Sequence, residues 1–131
     1  MPFTGKILLV DDEPHVRKFI GLLAGGLGSP VIIEAANGEE ALAKFALESP
    51  DLVLLDVNLP DMDGLQVLSA ILAQDPDAKV VMLTSLANRQ TVEESLRLGA
   101  VGYIRKDTPK DAILAELADI IHDNLKPPEP Q

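Results

Sequence analysis

The chain has 131 residues, no cysteine, and eleven basic against twenty-one acidic side chains, for a formal charge of −10. This length suits one compact domain, and the missing thiols exclude disulfides, thiol catalysis and the usual zinc sites while fitting a reducing cytosol. So acidic a surface repels nucleic acid, which is bound by neutralising its phosphates, so no direct nucleic-acid binding is expected; nor is a membrane role, since no apolar run approaches the ~18 residues of a spanning helix and Met1–Lys6 does not read as a signal peptide.

Strand and helix patterns alternate along the chain. The first strand is Ile7-Leu8-Leu9-Val10. A helix follows from about Pro14 to Leu27, with Val16, Phe19, Ile20, Leu23 and Leu27 as its apolar stripe, Pro14 in the tolerant first turn and Gly25, Gly26 and Gly28 ending it. The second strand is Val31-Ile32-Ile33. The second helix opens at Asn37-Gly38-Glu39-Glu40, an N-cap with acids in the first turn, and turns Ala41, Leu42 and Phe45 inward. Leu52-Val53-Leu54-Leu55 is the third strand, Gly64 to Gln74 the third helix, stopped by Asp75-Pro76. Val80-Val81-Met82-Leu83 and a helix from about Asn88 to Leu98, ended by Gly99, come next. Last are Val101-Gly102-Tyr103-Ile104 and a helix capped at Thr108, with Ile113, Leu117, Ile120 and Ile121 on its apolar face. Continuous aliphatic runs of this length read as strands covered on both faces. Five βα repeats predict a doubly wound α/β fold, a flavodoxin-like (βα)5 parallel sheet in the order 2-1-3-4-5. The tail Lys126-Pro127-Pro128-Glu129-Pro130-Gln131 cannot continue a helix and reads as a frayed end or the start of a linker.

In such sheets ligands sit beyond the carboxyl ends of the strands. Those ends carry Asp11-Asp12-Glu13, Asp56, Thr84-Ser85 and Arg105-Lys106-Asp107 on four neighbouring strands. Glu34 ends the edge strand and need not take part. Asp11, Asp12 and Asp56 brought together would repel one another. A hard divalent cation with oxygen ligands, magnesium (or manganese), relieves that repulsion and lets phosphate approach an acidic pocket. Lys106 adds a point positive charge and Thr84 a hydroxyl. Asp56 on the middle strand can attack phosphorus to give an acyl phosphate. His15 and His122 lie on different helices with no Cys or other His nearby in sequence and read as surface or filler residues.

These residues resemble the receiver domains of two-component response regulators. The resemblance rests on Val10-Asp11-Asp12-Glu13, the run Asp51 to Pro60, Met62-Asp63-Gly64, Leu83-Thr84-Ser85, and Gly99-Ala100 leading to Gly102-Tyr103-Ile104-Arg105-Lys106. It implies a receiver over residues 1–125 followed by a proline-rich tail or linker at 126–131. It implies Asp56 as phosphoacceptor, Asp12, Asp56 and the backbone carbonyl of Asn58 as metal ligands, and Asp11 acting through a bound water. Thr84 and Lys106 would hold phosphoryl oxygens, and Tyr103 would be the switch aromatic on a face made by the fourth helix, fifth strand and fifth helix. Asn58 and Leu86 fall where the family tunes phosphoryl lifetime. The implied partners are a sensor histidine kinase, a phosphotransfer protein or a small phosphodonor upstream and an unspecified target or output domain downstream, in the cytoplasm; a homodimer through the output face is compatible. The domain would signal rather than turn over substrate. One departure stands out: many receivers have Pro after the lysine, with a cis bond, whereas here Asp107 follows, and a cis bond before a non-proline residue costs about 2.5–4 kcal/mol. Lys-Asp-Thr is similar to receivers joined to LuxR-type helix-turn-helix domains. A dehalogenase-type hydrolase would need a second Asp two residues after the nucleophile, where Asn58 stands, and a flavin binder would need a Ser/Thr/Gly-rich loop where Asp11-Asp12-Glu13 stands.

Overall fold

The computed structural model describes residues 3–84 and 89–125. Five parallel strands, β1 (Lys6–Val10), β2 (Val31–Ala35), β3 (Leu52–Asp56), β4 (Val80–Thr84) and β5 (Gly102–Arg105), form one sheet in the order β2-β1-β3-β4-β5. They alternate with α1 (Pro14–Ala24), α2 (Gly38–Glu48), α3 (Gly64–Gln74), α4 (Arg89–Leu98) and α5 (Lys110–Asn124). The doubly wound flavodoxin-like architecture is therefore as expected.

The reason lies in the strand composition. All five residues of β3 and all five of β4 are buried, so these strands demand helices on both sides. Alternate strand residues then feed two cores. Leu8, Val10, Val53, Leu55, Val80 and Met82 pack with Ala41 and Phe45 of α2 and Val67, Leu68 and Ile71 of α3. Ile7, Leu9, Leu52, Leu54, Val81 and Leu83 pack on the other face with Ile20 of α1 and Ile113 and Leu117 of α5. Each such aliphatic side chain contributes roughly 1.5–3 kcal/mol by leaving water.

Some details depart from the sequence reading. The first helix stops at Ala24, and Gly25–Leu27 form a tighter 3-10 turn, because successive glycines disfavour a continued α-helix. Phe19 is not on the buried stripe but 44% exposed; Ile20 and Ala24 take the inward positions. The cap of α5 is Pro109, with no side-chain hydrogen bond, rather than Thr108. The acid following Asn37 also differs from a reciprocal cap: Asn37 Oδ1 accepts from the Glu40 N–H at 2.8 Å, while the Glu40 carboxylate pairs with Lys44. The fifth strand is shifted by one residue, to Gly102–Arg105. No cis peptide bond occurs among the described residues, so Lys106–Asp107 is trans. Gly99 ends α4 with φ +116°, a conformation open to glycine. Ser85, Leu86, Asn88 and the tail 126–131, for which roles were expected, lie outside the described residues.

Candidate functional site at the carboxyl edge of the sheet

The strand register gathers the polar residues. Val10 stands opposite Leu55, so Asp11 and Asp56 follow side by side. Asp56 stands opposite Leu83 and Thr84 opposite Arg105, so Thr84 and Lys106 fall one step further along. The main chain fixes this stagger, since the Lys106 N–H donates to the Thr84 carbonyl at 2.7 Å and the Val57 N–H to the Leu83 carbonyl at 3.3 Å.

Asp11 is wholly buried, Asp56 is 4% exposed and Thr84 2%, whereas Asp12 and Asn58 are exposed at the rim. Lys106 reaches in from the far side. Its Nζ lies 3.0 Å from Asp56 Oδ2, to which it donates a hydrogen bond, and 2.5 Å from Asp11 Oδ2. The second contact is an ion pair without hydrogen-bond alignment, and Asp11 Oδ2 has no aligned donor. Burial pushes the Asp56 carboxyl up from its ordinary value and the Asp11 charge adds to this; Lys106, and the Asn58 N–H donated to Oδ1 at 3.2 Å, oppose it without prevailing. Burial would lower the Lys106 ammonium, but the adjacent Asp11 and Asp56 carboxylates outweigh that and raise it. The lysine is thus held cationic.

One carboxylate oxygen from each of Asp11, Asp12 and Asp56 can be chosen so that all lie within 4.8 Å of one another. An all-oxygen donor set is what a hard divalent cation takes, and such a cation would share the Asp11 and Asp56 carboxylates with the Lys106 ammonium. The residues present fit magnesium or manganese.

The turn after β3 is shaped by Gly64. A Cβ there would stand 2.3 Å from the Asp56 carbonyl oxygen and 2.7 Å from Val57 Cα, so only glycine allows α3 to start this close beneath the site. Its N–H donates to the Val57 carbonyl at 2.8 Å, and α3 is closed by a capping box between Asp63 and Gln66. Tyr103 on β5 is half-buried against the core formed with α2 and α3. Burial raises its hydroxyl pKa, Arg105 counteracts and Asp107 adds.

The family model for the response regulator receiver domain matches residues 7–118. This chain belongs to the receiver domain family. It is CheY-like: the chemotaxis protein CheY of Listeria monocytogenes is 38% identical over 112 residues, covering 86% of this chain and 94% of that protein. Among solved structures, a LuxR-family two-component response regulator from Aurantimonas sp. superposes with TM-score 0.86 at 26% identity, over 93% of this chain and 88% of that one. CheY of Borrelia burgdorferi, in a complex with CheX, BeF3 and Mg2+, superposes with TM-score 0.84 at 32% identity, over 88% of each chain. This receiver is accordingly a two-component signalling domain, and no helix among its described residues is long and apolar enough to cross a membrane.

The structure brings Asp11, Asp12, Asp56 and Lys106 to one place, and two contacts near them escaped the sequence reading. Arg17 Nη1 donates to the Asp11 carbonyl at 2.6 Å while its Nε donates to Glu34 Oε1 at 3.0 Å, so the edge residue Glu34 reaches the site one step removed. Asp61 accepts from two N–H groups of α2. Neither follows from strand ends. The hint for Arg17 was its place one turn after Asp12–Glu13 on the first helix. His15 and His122 are exposed, paired only with neighbouring acids Glu13 and Asp123 among the described residues.

Proposed function

We propose that this receiver accepts a phosphoryl group on Asp56, from a sensor histidine kinase, a phosphotransfer protein or a small phosphodonor, and relays the change to a downstream target or output domain. One observation carries the reading: Asp56 lies beside Asp11 and Asp12 and under the Lys106 ammonium, 3.0 Å from Nζ, at the carboxyl edge of the sheet. In that reading an Asp56 carboxylate oxygen forms the new bond to phosphorus as the donor's bond to phosphorus breaks. Lys106 then exchanges carboxylate for phosphoryl oxygens, and the Thr84 hydroxyl donates to another. Asp12, Asp56 and the Asn58 carbonyl would hold Mg2+ (or Mn2+), with Asp11 acting through a bound water. When bound, the cation supplies charge neutralisation of the phosphoryl oxygens.

Movement of Thr84 toward the phosphoryl group would draw Tyr103 inward and reshape the surface of α4, β5 and α5, where a target, an output domain or a second copy of the chain would read it. Asn58 and Leu86 would tune how long the phosphoryl group lasts. Residues 1–125 form the receiver in this account, residues 126–131 a tail or linker, and the setting is the cytoplasm. The domain acts as a signalling phosphoacceptor; its chemistry is limited to its own phosphorylation and dephosphorylation. Beryllofluoride with Mg2+, a phosphoryl mimic, tests the switch by NMR. Shifts at Asp56, Thr84 and Tyr103 are expected, and unchanged spectra at saturation would favour a phosphate-independent interaction module.

A further inference from the structure

We propose that Asp61 is a positioning residue for the metal site, fastening the loop that carries Asn58 to the N-terminus of α2. The inference rests on the reading of the Asn58 carbonyl as a ligand. Asp61 Oδ1 accepts from the Gly38 N–H at 2.8 Å and Oδ2 from the Glu39 N–H at 2.9 Å, across 23 and 22 residues of sequence. These are first-turn donors that no helix carbonyl can reach. Asn37 takes a third, from Glu40 at 2.8 Å. The helix is therefore capped jointly, by its own Asn37 and by the distant Asp61, which sits favourably at the positive end of the helix dipole. These bonds hold the Asp61 carboxyl below its ordinary value.

A second contact runs in parallel. Met62 presses on Gly38, where an added Cβ would stand 2.3 Å from Met62 Cγ. The loop has other fastenings: Asn58 N–H to Asp56 Oδ1, the bridge between Asn58 and Asp63 and Gly64 N–H to the Val57 carbonyl curl it, Val57 N–H to the Leu83 carbonyl ties its start to β4, and Val57 and Leu59 pack against the core shared with α2 and α3. None of these hydrogen bonds reaches the N-terminus of α2. Asp61 and Met62 tie it to a second element, and that element follows β2, whose Ala35 carbonyl accepts the Asp11 N–H at 3.1 Å. The loop bearing Asn58 and the turn bearing Asp11 are thereby referred to one frame.

The test compares Asp61→Ala and Asp61→Asn with Asn37→Ala, which loses a cap of the same helix without touching the loop. Mg2+ alone is titrated calorimetrically, and amide exchange of Asn58 is followed in metal-free protein. Both alanine variants lower the melting temperature. Asp61→Ala weakens Mg2+ binding by roughly 10-fold, as loss of a support behind a ligand typically does, Asp61→Asn by less, and Asn37→Ala keeps wild-type affinity. Asn58 exchange quickens in Asp61→Ala and not in Asn37→Ala. Wild-type affinity in Asp61→Ala, or an equal loss in Asn37→Ala, would overturn the inference while leaving the proposed function standing. Absence of Mg2+ binding by the wild type would overturn the metal reading and this inference with it.

Discussion

Asp56 and Lys106 are set against each other by burial. The carboxyl of Asp56 is raised because desolvation outweighs the lysine. An acid whose folded pKa exceeds its unfolded value contributes stability below the unfolded value, near 3.8, and loses it as pH rises through the folded one. Asp56→Asn removes that loss. It is expected to be more stable than wild type at pH 7 without divalent cations, by about 1 kcal/mol, with the difference vanishing below the ordinary Asp range; denaturant melts across pH read this directly. Lys106 is the opposite case, since its raised pKa keeps its contribution intact at neutral pH and forfeits it only in strong alkali. Lys106→Met leaves two buried carboxylates facing each other, so it should cost about 3 kcal/mol without metal. Because the competing ammonium is gone, added Mg2+ should restore more of its melting temperature than it adds to wild type. An equal Mg2+ increment in the two proteins would show that Lys106 does not compete with the cation for these acids.

Among the elements, the loop from β3 to α3 is closely fitted against the start of α3. Gly64→Ala would press a methyl group against backbone at 2.3 Å from the Asp56 carbonyl, and overpacking of that kind costs about 2–3 kcal/mol. Chemical denaturation measures the cost; a fall below 0.5 kcal/mol, the ordinary scatter of surface changes, would mean that the loop yields freely. The elements also show what a sequence can convey. The aliphatic runs of β3 and β4 announce buried strands because every position is apolar, and Asp75-Pro76 or Gly99 stop helices for reasons local to the backbone. Phe19 misled because a 3.6-residue pattern marks a broad apolar stripe, and which of its edges is buried depends on the neighbours. Thr108 misled because a cap depends on side-chain rotamer and on the adjacent Pro109. Asp61 and Arg17 were silent for a further reason: each acts on an element distant in sequence, through contacts that exist only once β2, α2 and the loop after β3 have met.

Across the whole molecule, the parallel sheet is what turns separate strand ends into one site. Its register delivers Asp11 and Asp56 side by side and Thr84 and Lys106 one step on. Two cores hold this edge from opposite faces, one shared with α2 and α3, the other with α1 and α5. Helix packing thereby keeps like charges together that would otherwise separate. The strand order and the identities of these residues were legible because position along a parallel sheet is encoded in chain order. Distances, the trans bond at Lys106–Asp107 and the joint capping of α2 were not, since they depend on side-chain and backbone angles that composition leaves open. The central claim is that Asp56 is the one nucleophilic carboxylate of this cluster. Intact mass after incubation with acetyl phosphate and Mg2+ tests it most directly: wild type should gain about 80 Da, one phosphoryl group, and Asp56→Asn none. An equal gain in the variant, or none in either protein, would contradict it.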